Sequence, residues 1–156
     1  MCKLFNLKIS LITLFALFLT GSLFAQLDPV QWTFEVEQVN DKEYDIIFKA
    51  DIERGWSVYS QFLESQQGPI PTSFEFDTNA QIQLVGATKE AGNKKETFDK
   101  TFGIKLIKFS NKARFTQRVK VDPRAEVVKG TLTYMTCDAE SCLPPADVKF
   151  TIALNN

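Results

Sequence analysis

The chain has 156 residues, 44% hydrophobic and 24% charged, which is enough for one domain with its own core and too few for two. Its formal net charge is −1 with both signs scattered, so no basic stripe marks a nucleic-acid surface or an anionic-membrane surface. There is no histidine, which excludes Ser-His and Cys-His catalysis, and with two of the three cysteines outside the N-terminal segment a zinc site is short of ligands, so no metal or other cofactor is expected.

Lys3 and Lys8 flank the start of an apolar run at 9–19, broken by Ser10 and Thr13, and Gly21, Ser22 and Ala25 precede Gln26. That order is a secretory signal peptide, giving a leader at 1–25 and a domain at 26–156. The alternatives are cleavage after Ser22, or an uncleaved anchor reaching from Leu4 to Phe24. Cys2 leaves with the leader, and the exported chain keeps Cys137 and Cys142. In a periplasmic or otherwise oxidising compartment, such a pair is a disulfide unless something reduces it.

Beyond the leader the hydrophobic period is two. Trp32, Phe34 and Val36 alternate with polar residues, as do Tyr44, Ile46, Phe48, Ala50 and Ile52, with Asn40-Asp41-Lys42 as the turn of a hairpin. A short aromatic run, Trp56 to Tyr59, leads to Gly68-Pro69-Ile70-Pro71, where prolines forbid a central strand. Phe74 and Phe76, then Ile82 and Leu84, predict two short strands around a turn at Asp77-Thr78-Asn79. The polar stretch 90–100, with Gly92-Asn93 as turn chemistry and Phe98 as its lone apolar residue, is expected to be a loop. Phe102, Ile104 and Leu106 alternate, but Ile107 and Phe109 continue in the opposite phase, which predicts a bulge or a change of sheet near Leu106. Phe115 to Val121, then Leu132, Tyr134 and Thr136, and finally Val148 to Leu154 complete roughly eight or nine strands with no amphipathic helix. The expected fold is all-β, an immunoglobulin-like antiparallel β-sandwich, monomeric.

The chemistry is concentrated in Tyr134-Met-Thr-Cys137-Asp-Ala-Glu-Ser-Cys142-Leu-Pro-Pro145. A final hairpin of strands at 131–136 and 147–154 would carry both cysteines at or near its closed end. A bridge over so short a loop restricts the unfolded chain modestly, by about 2 kcal/mol in the chain-entropy model. Reversible electron exchange is therefore a stronger reason for the pair than stapling. Asp138 and Glu140 lie inside the ring with no Lys or Arg between Gly130 and Val148, so nearby charge pushes a free thiol above its usual value of about 8.5.

Gly55-Trp-Ser-Val-Tyr-Ser-Gln61, Gly68-Pro-Ile-Pro-Thr-Ser-Phe74, the acidic segment with lone Phe98 and the Tyr-x-x-Cys…Cys-x-Pro-Pro run together resemble the N-terminal periplasmic domain of DsbD-type thiol:disulfide interchange proteins. The resemblance covers essentially the whole exported chain. It implies an immunoglobulin-like sandwich that relays electrons from a thioredoxin-like or membrane-embedded thiol reductase to exported disulfide-containing proteins. It also implies that Cys142 bonds to partners and Cys137 resolves, that Phe98 caps the bridge, and that Tyr59 lies beside the cysteines. Independently of the resemblance, Asp99 and Glu96 are carboxylates that could act on a proton during exchange, the plainer reading being solvated loop residues. This chain places four residues between its cysteines where the family usually has five. With no membrane bundle and no thioredoxin-like Cys-x-x-Cys, it is expected to be the relay alone. The competing readings are a secreted binding module with a purely structural disulfide, and an assembly factor that recognises a partner by a sheet edge.

Overall fold

The computed structural model describes residues 28–63, 68–77, 81–99 and 103–154, with the Asp99 side chain excepted; the predicted leader, Thr78, Asn79, Lys100 and Phe102 lie outside them. Two antiparallel sheets form. The first contains β1 (Val30–Asn40), β2 (Glu43–Ile52), β6 (Ile104–Val121), β3 (Ser57–Tyr59) and β8 (Thr136–Cys137) in that order, with β5 (Ile82–Asp99) also paired to β6. The second is β4 (Ser73–Phe76), β7 (Val127–Tyr134) and β9 (Ala146–Ala153). This is the expected immunoglobulin-like sandwich.

Alternation decides what faces what. In the β1–β2 hairpin Phe34 opposes Phe48 and Val36 opposes Ile46, so one face of the pair is apolar throughout. Phe48 is fully buried, and its ring meets Phe74 at 4.6 Å, Phe150 at 4.9 Å, Phe34 at 5.6 Å and Phe76 at 6.0 Å. Rings from both sheets therefore interlock in one core, at separations where aromatic pairs attract beyond their area burial. Trp56 packs against that core from its margin.

Two expectations are corrected. Residues 90–99 are not a loop: β5 runs unbroken to Asp99, and Lys94 to Asp99 pair with Phe109 to Ile104. Gly92-Asn93 is a register shift within the strand instead of its turn. A Cβ at Gly92 (φ +138°) would lie 2.4 Å from the Lys112 carbonyl oxygen, so this close approach of backbone requires glycine. The irregularity expected near Leu106 sits a few residues later, opposite Gly92, where Asn111 takes a positive φ of 62°. There β6 also exchanges neighbours, pairing with β2 from Lys112 onward and with β3 at Lys108 and Phe109.

Candidate functional site

The final hairpin is β7 with β9, closing at Tyr134 opposite Ala146. Both cysteines lie in the connecting segment 135–145 at its closed end. After Met135 the chain leaves the second sheet, and β8 joins the first, with Thr136 opposite Val58 and Cys137 opposite Ser57. The Thr136 hydroxyl donates to the Ser57 carbonyl at 3.0 Å, fixing this crossing.

Register then assigns faces. Val58 pairs with Phe109 and both belong to the main core. Their neighbours Ser57, Tyr59 and Lys108, and with them Cys137 and Leu106, fall on the opposite face of the sheet. A second, small cluster forms there from Tyr59, Leu106 and Cys137, with Leu63, Ile104 and Met135 packed on it. Tyr59 thus packs with Cys137, 5% exposed, and its carbonyl accepts a 2.6 Å hydrogen bond from the Thr72 hydroxyl.

Cys137 and Cys142 are joined, with an S–S distance of 2.03 Å and Cα atoms 4.0 Å apart. The two ends of the bridge differ: Cys137 is 5% exposed, whereas Cys142 is exposed. Next to Cys142, Leu143, Pro144 and Pro145 form one wall of a cleft of about 730 Å³, whose other lining includes Asp28, Pro29, Tyr134 and Asp147. Burial, reinforced by the Asp28 charge, pushes the Tyr134 hydroxyl above its ordinary pKa.

Between the cysteines the chain makes a tight turn. The Asp138 amide donates to the Ser141 carbonyl and the Leu143 amide to the Thr136 carbonyl, both at 2.9 Å. Asp138 Oδ1 accepts from the backbone amides of Glu140 at 2.8 Å and Ser141 at 2.7 Å, and from the Ser141 hydroxyl at 3.4 Å. Those backbone bonds hold the Asp138 carboxyl below the usual carboxylate range.

Phe98, expected over the bridge, is 64% exposed, and its pairing with Lys105 puts it on the opposite ribbon face from Ile104 and Leu106. The Asp99 backbone ends β5 opposite Ile104; its side chain is outside the described residues. Leu106, Ile104, Leu63 and Met135 were not singled out in the sequence as site residues. The phase change after Leu106 was the available signal, since it marks a residue facing away from the main core. Among the described residues no cluster of His, Cys, Asp and Glu could hold a metal ion.

Fold and bridge together define a class: an immunoglobulin-like domain displaying one disulfide at its surface. The chain matches the family model described as thiol:disulfide interchange protein DsbD, N-terminal, over residues 25–154, and it belongs to that family. Among solved structures it resembles the N-terminal periplasmic domain of ScsB from Proteus mirabilis (TM-score 0.61, 14% identity), over 84% of this chain and 49% of that one. It thus spans about half the length of that chain. The reduced DsbD N-terminal domain of Neisseria meningitidis also matches (TM-score 0.51, 22% identity, 80% of this chain and 86% of that one). So does a chain from the complex of the Neisseria meningitidis DsbD and PilB N-terminal domains (TM-score 0.50, 21% identity, 85% and 90%). No curated protein matches the chain by sequence. Among the described residues no helix is long and apolar enough to cross a membrane.

Proposed function

We propose that this domain is an exported thiol:disulfide relay in which Cys142 exchanges with partner thiols and Cys137 resolves. The observation that carries this reading is the asymmetry of the bridge, with Cys142 an exposed residue and Cys137 buried beside Tyr59 and Leu106. A donor thiolate attacks Cys142, the S–S bond breaks, and Cys137 leaves as a thiolate that takes up a proton. The donor's second thiol then attacks its own sulfur in the mixed disulfide and releases Cys142, so two electrons and two protons have entered the domain. Delivery to an acceptor disulfide runs the same steps in reverse. The donor is a thioredoxin-like or membrane-embedded reductase, and the acceptors are exported disulfide-containing proteins. The capture of a DsbD N-terminal domain in complex with a PilB N-terminal domain supports a protein as the exchange partner.

Stapling explains the bridge less well. The chain on either side of it is already tied by the Leu143–Thr136 and Asp138–Ser141 backbone bonds, so a covalent link across the same gap restrains little that is not restrained already.

The decisive experiment is trapping. Cys137→Ala should accumulate mixed disulfides through Cys142 when expressed in the exported compartment, and Cys142→Ala should accumulate none while remaining folded. If neither variant captures a partner and the folded protein's bridge resists dithiothreitol, the relay reading fails. With Phe98 exposed on the ribbon face away from Leu106, Phe98→Ala should leave the rate of reduction by dithiothreitol unchanged, whereas a severalfold faster rate would assign Phe98 the cap role.

A further inference from the structure

The turn between the cysteines is closed by two independent sets of ties. One is the disulfide. The other contains no sulfur: the backbone bonds Asp138 N to Ser141 O and Leu143 N to Thr136 O, and the three donors gathered by the Asp138 carboxylate. On the Cys137 side the turn is anchored to a sheet, because β8 pairs with β3 and Thr136 is bonded to Ser57. Cys142 lies outside the named strands and is held to β8 only by the turn's own backbone bonds among those described. Its place beside Cys137 depends on the turn itself, in which these two residues oppose each other as an isolated antiparallel bridge pair.

Cleaving the S–S bond removes the first set of ties and leaves the second. We infer that Asp138 is a positioning residue for the exchange reaction, holding the turn folded in the dithiol state so that the two thiols stay within bonding reach. This rests on the relay reading above. The step it serves is ring closure. With Cys142 bonded to an acceptor sulfur, the Cys137 thiolate attacks the Cys142 sulfur, the intramolecular bond forms, and the acceptor leaves as a thiolate that takes up a proton. The rate of that attack scales with the effective concentration of one sulfur at the other, which a loosened turn dilutes. The carboxylate suits the task because its oxygen binds two backbone amides and a hydroxyl at once, and charged acceptors make the stronger hydrogen bonds. Its depressed pKa keeps it ionised near neutral pH.

In the oxidised protein the covalent ring limits how far the turn opens whether or not Asp138 is present; in the dithiol it does not. Asp138→Ala should therefore favour the dithiol, lowering the equilibrium constant for bridge formation about tenfold, equivalent to raising the potential by about 30 mV. In a glutathione redox buffer the protein–glutathione mixed disulfide, read by mass spectrometry, should rise by the same factor. Asp138→Asn keeps the acceptor oxygen and loses the charge, so it should restore both readouts to within about threefold of the unmodified protein. Should Asp138→Ala not fold, Asp138→Ser, whose hydroxyl reaches fewer donors, takes its place and should show a smaller shift in the same direction. If the folded alanine variant, or its serine replacement, keeps the original potential and adduct level within twofold, the inference is overturned while the relay stands. If the unmodified folded protein cannot be reduced by glutathione or dithiothreitol at all, the relay itself falls.

Discussion

Asp138 can be read as a charge or as a hydrogen-bond acceptor, and the two readings act on different observables. As a charge beside the sulfurs, with Glu140, it disfavours a thiolate. The thiols of the reduced protein are therefore expected at or above about 8.5, measured by the pH dependence of alkylation, and values well below 7 would contradict this. As an acceptor it shapes the turn. Elsewhere single residues carry plain packing consequences. Phe48 is 0% exposed and touches four other rings, so Phe48→Ala should cost about 3–5 kcal/mol in urea unfolding. Gly130 is confined differently: a Cβ there would lie 2.2 Å from the Glu75 carbonyl oxygen and 2.5 Å from Phe150 Cζ, so Gly130→Ala should either separate β4 from β7 or displace that ring.

The long β5–β6 ribbon shows where the sequence is and is not legible. Alternation identified β1, β2 and the latter half of β6 because each sends every second side chain, apolar, toward the core. Residues 90–99 lack alternation because little of that segment is buried, and their strand character comes from pairing with β6, which leaves no hydrophobic signature. A similar limit hid the sheet crossing at Met135. Leu132, Tyr134 and Thr136 are all buried, and alternation reports a face without saying to which sheet it belongs. Gln117, nearly fully buried, repairs the β5 irregularity: its amide nitrogen donates to the Val85 and Gly86 carbonyls at 3.3 and 3.4 Å, and its oxygen accepts from Thr88 at 2.8 Å. Gln117→Leu leaves those groups without their partner and should destabilise by about 1–3 kcal/mol. Across β2 and β6, Arg118 grips Asp45 through two bonds of 2.8 and 2.9 Å, and that hydrogen bonding holds the Asp45 carboxyl below its ordinary value. A lowered folded-state pKa means the pair contributes fully above the unfolded carboxyl value, near 4, and fades as pH falls through the lowered folded value. The stability difference between the unmodified protein and Asp45→Asn should accordingly be flat near neutrality and vanish in strong acid.

At the scale of the molecule, core and bridge occupy opposite faces of the first sheet. The phenylalanine core lies between the two sheets, while Cys137 packs with Tyr59 and Leu106 on the far side. The family resemblance was legible in Tyr134 to Pro145, but this separation was not, because it depends on β8 pairing with β3, a contact between residues far apart in sequence.

Because Cys142 already faces water, a reductant has no need to wait for the domain to come apart. Plotted against urea, the logarithm of the dithiothreitol reduction rate should run almost level until the unfolding transition begins. A steep climb from the first additions would mean that the sulfur is sampled through global opening, as for a bond sealed inside a protein. Level behaviour would make this sandwich a chassis that stays cold while its contact switches.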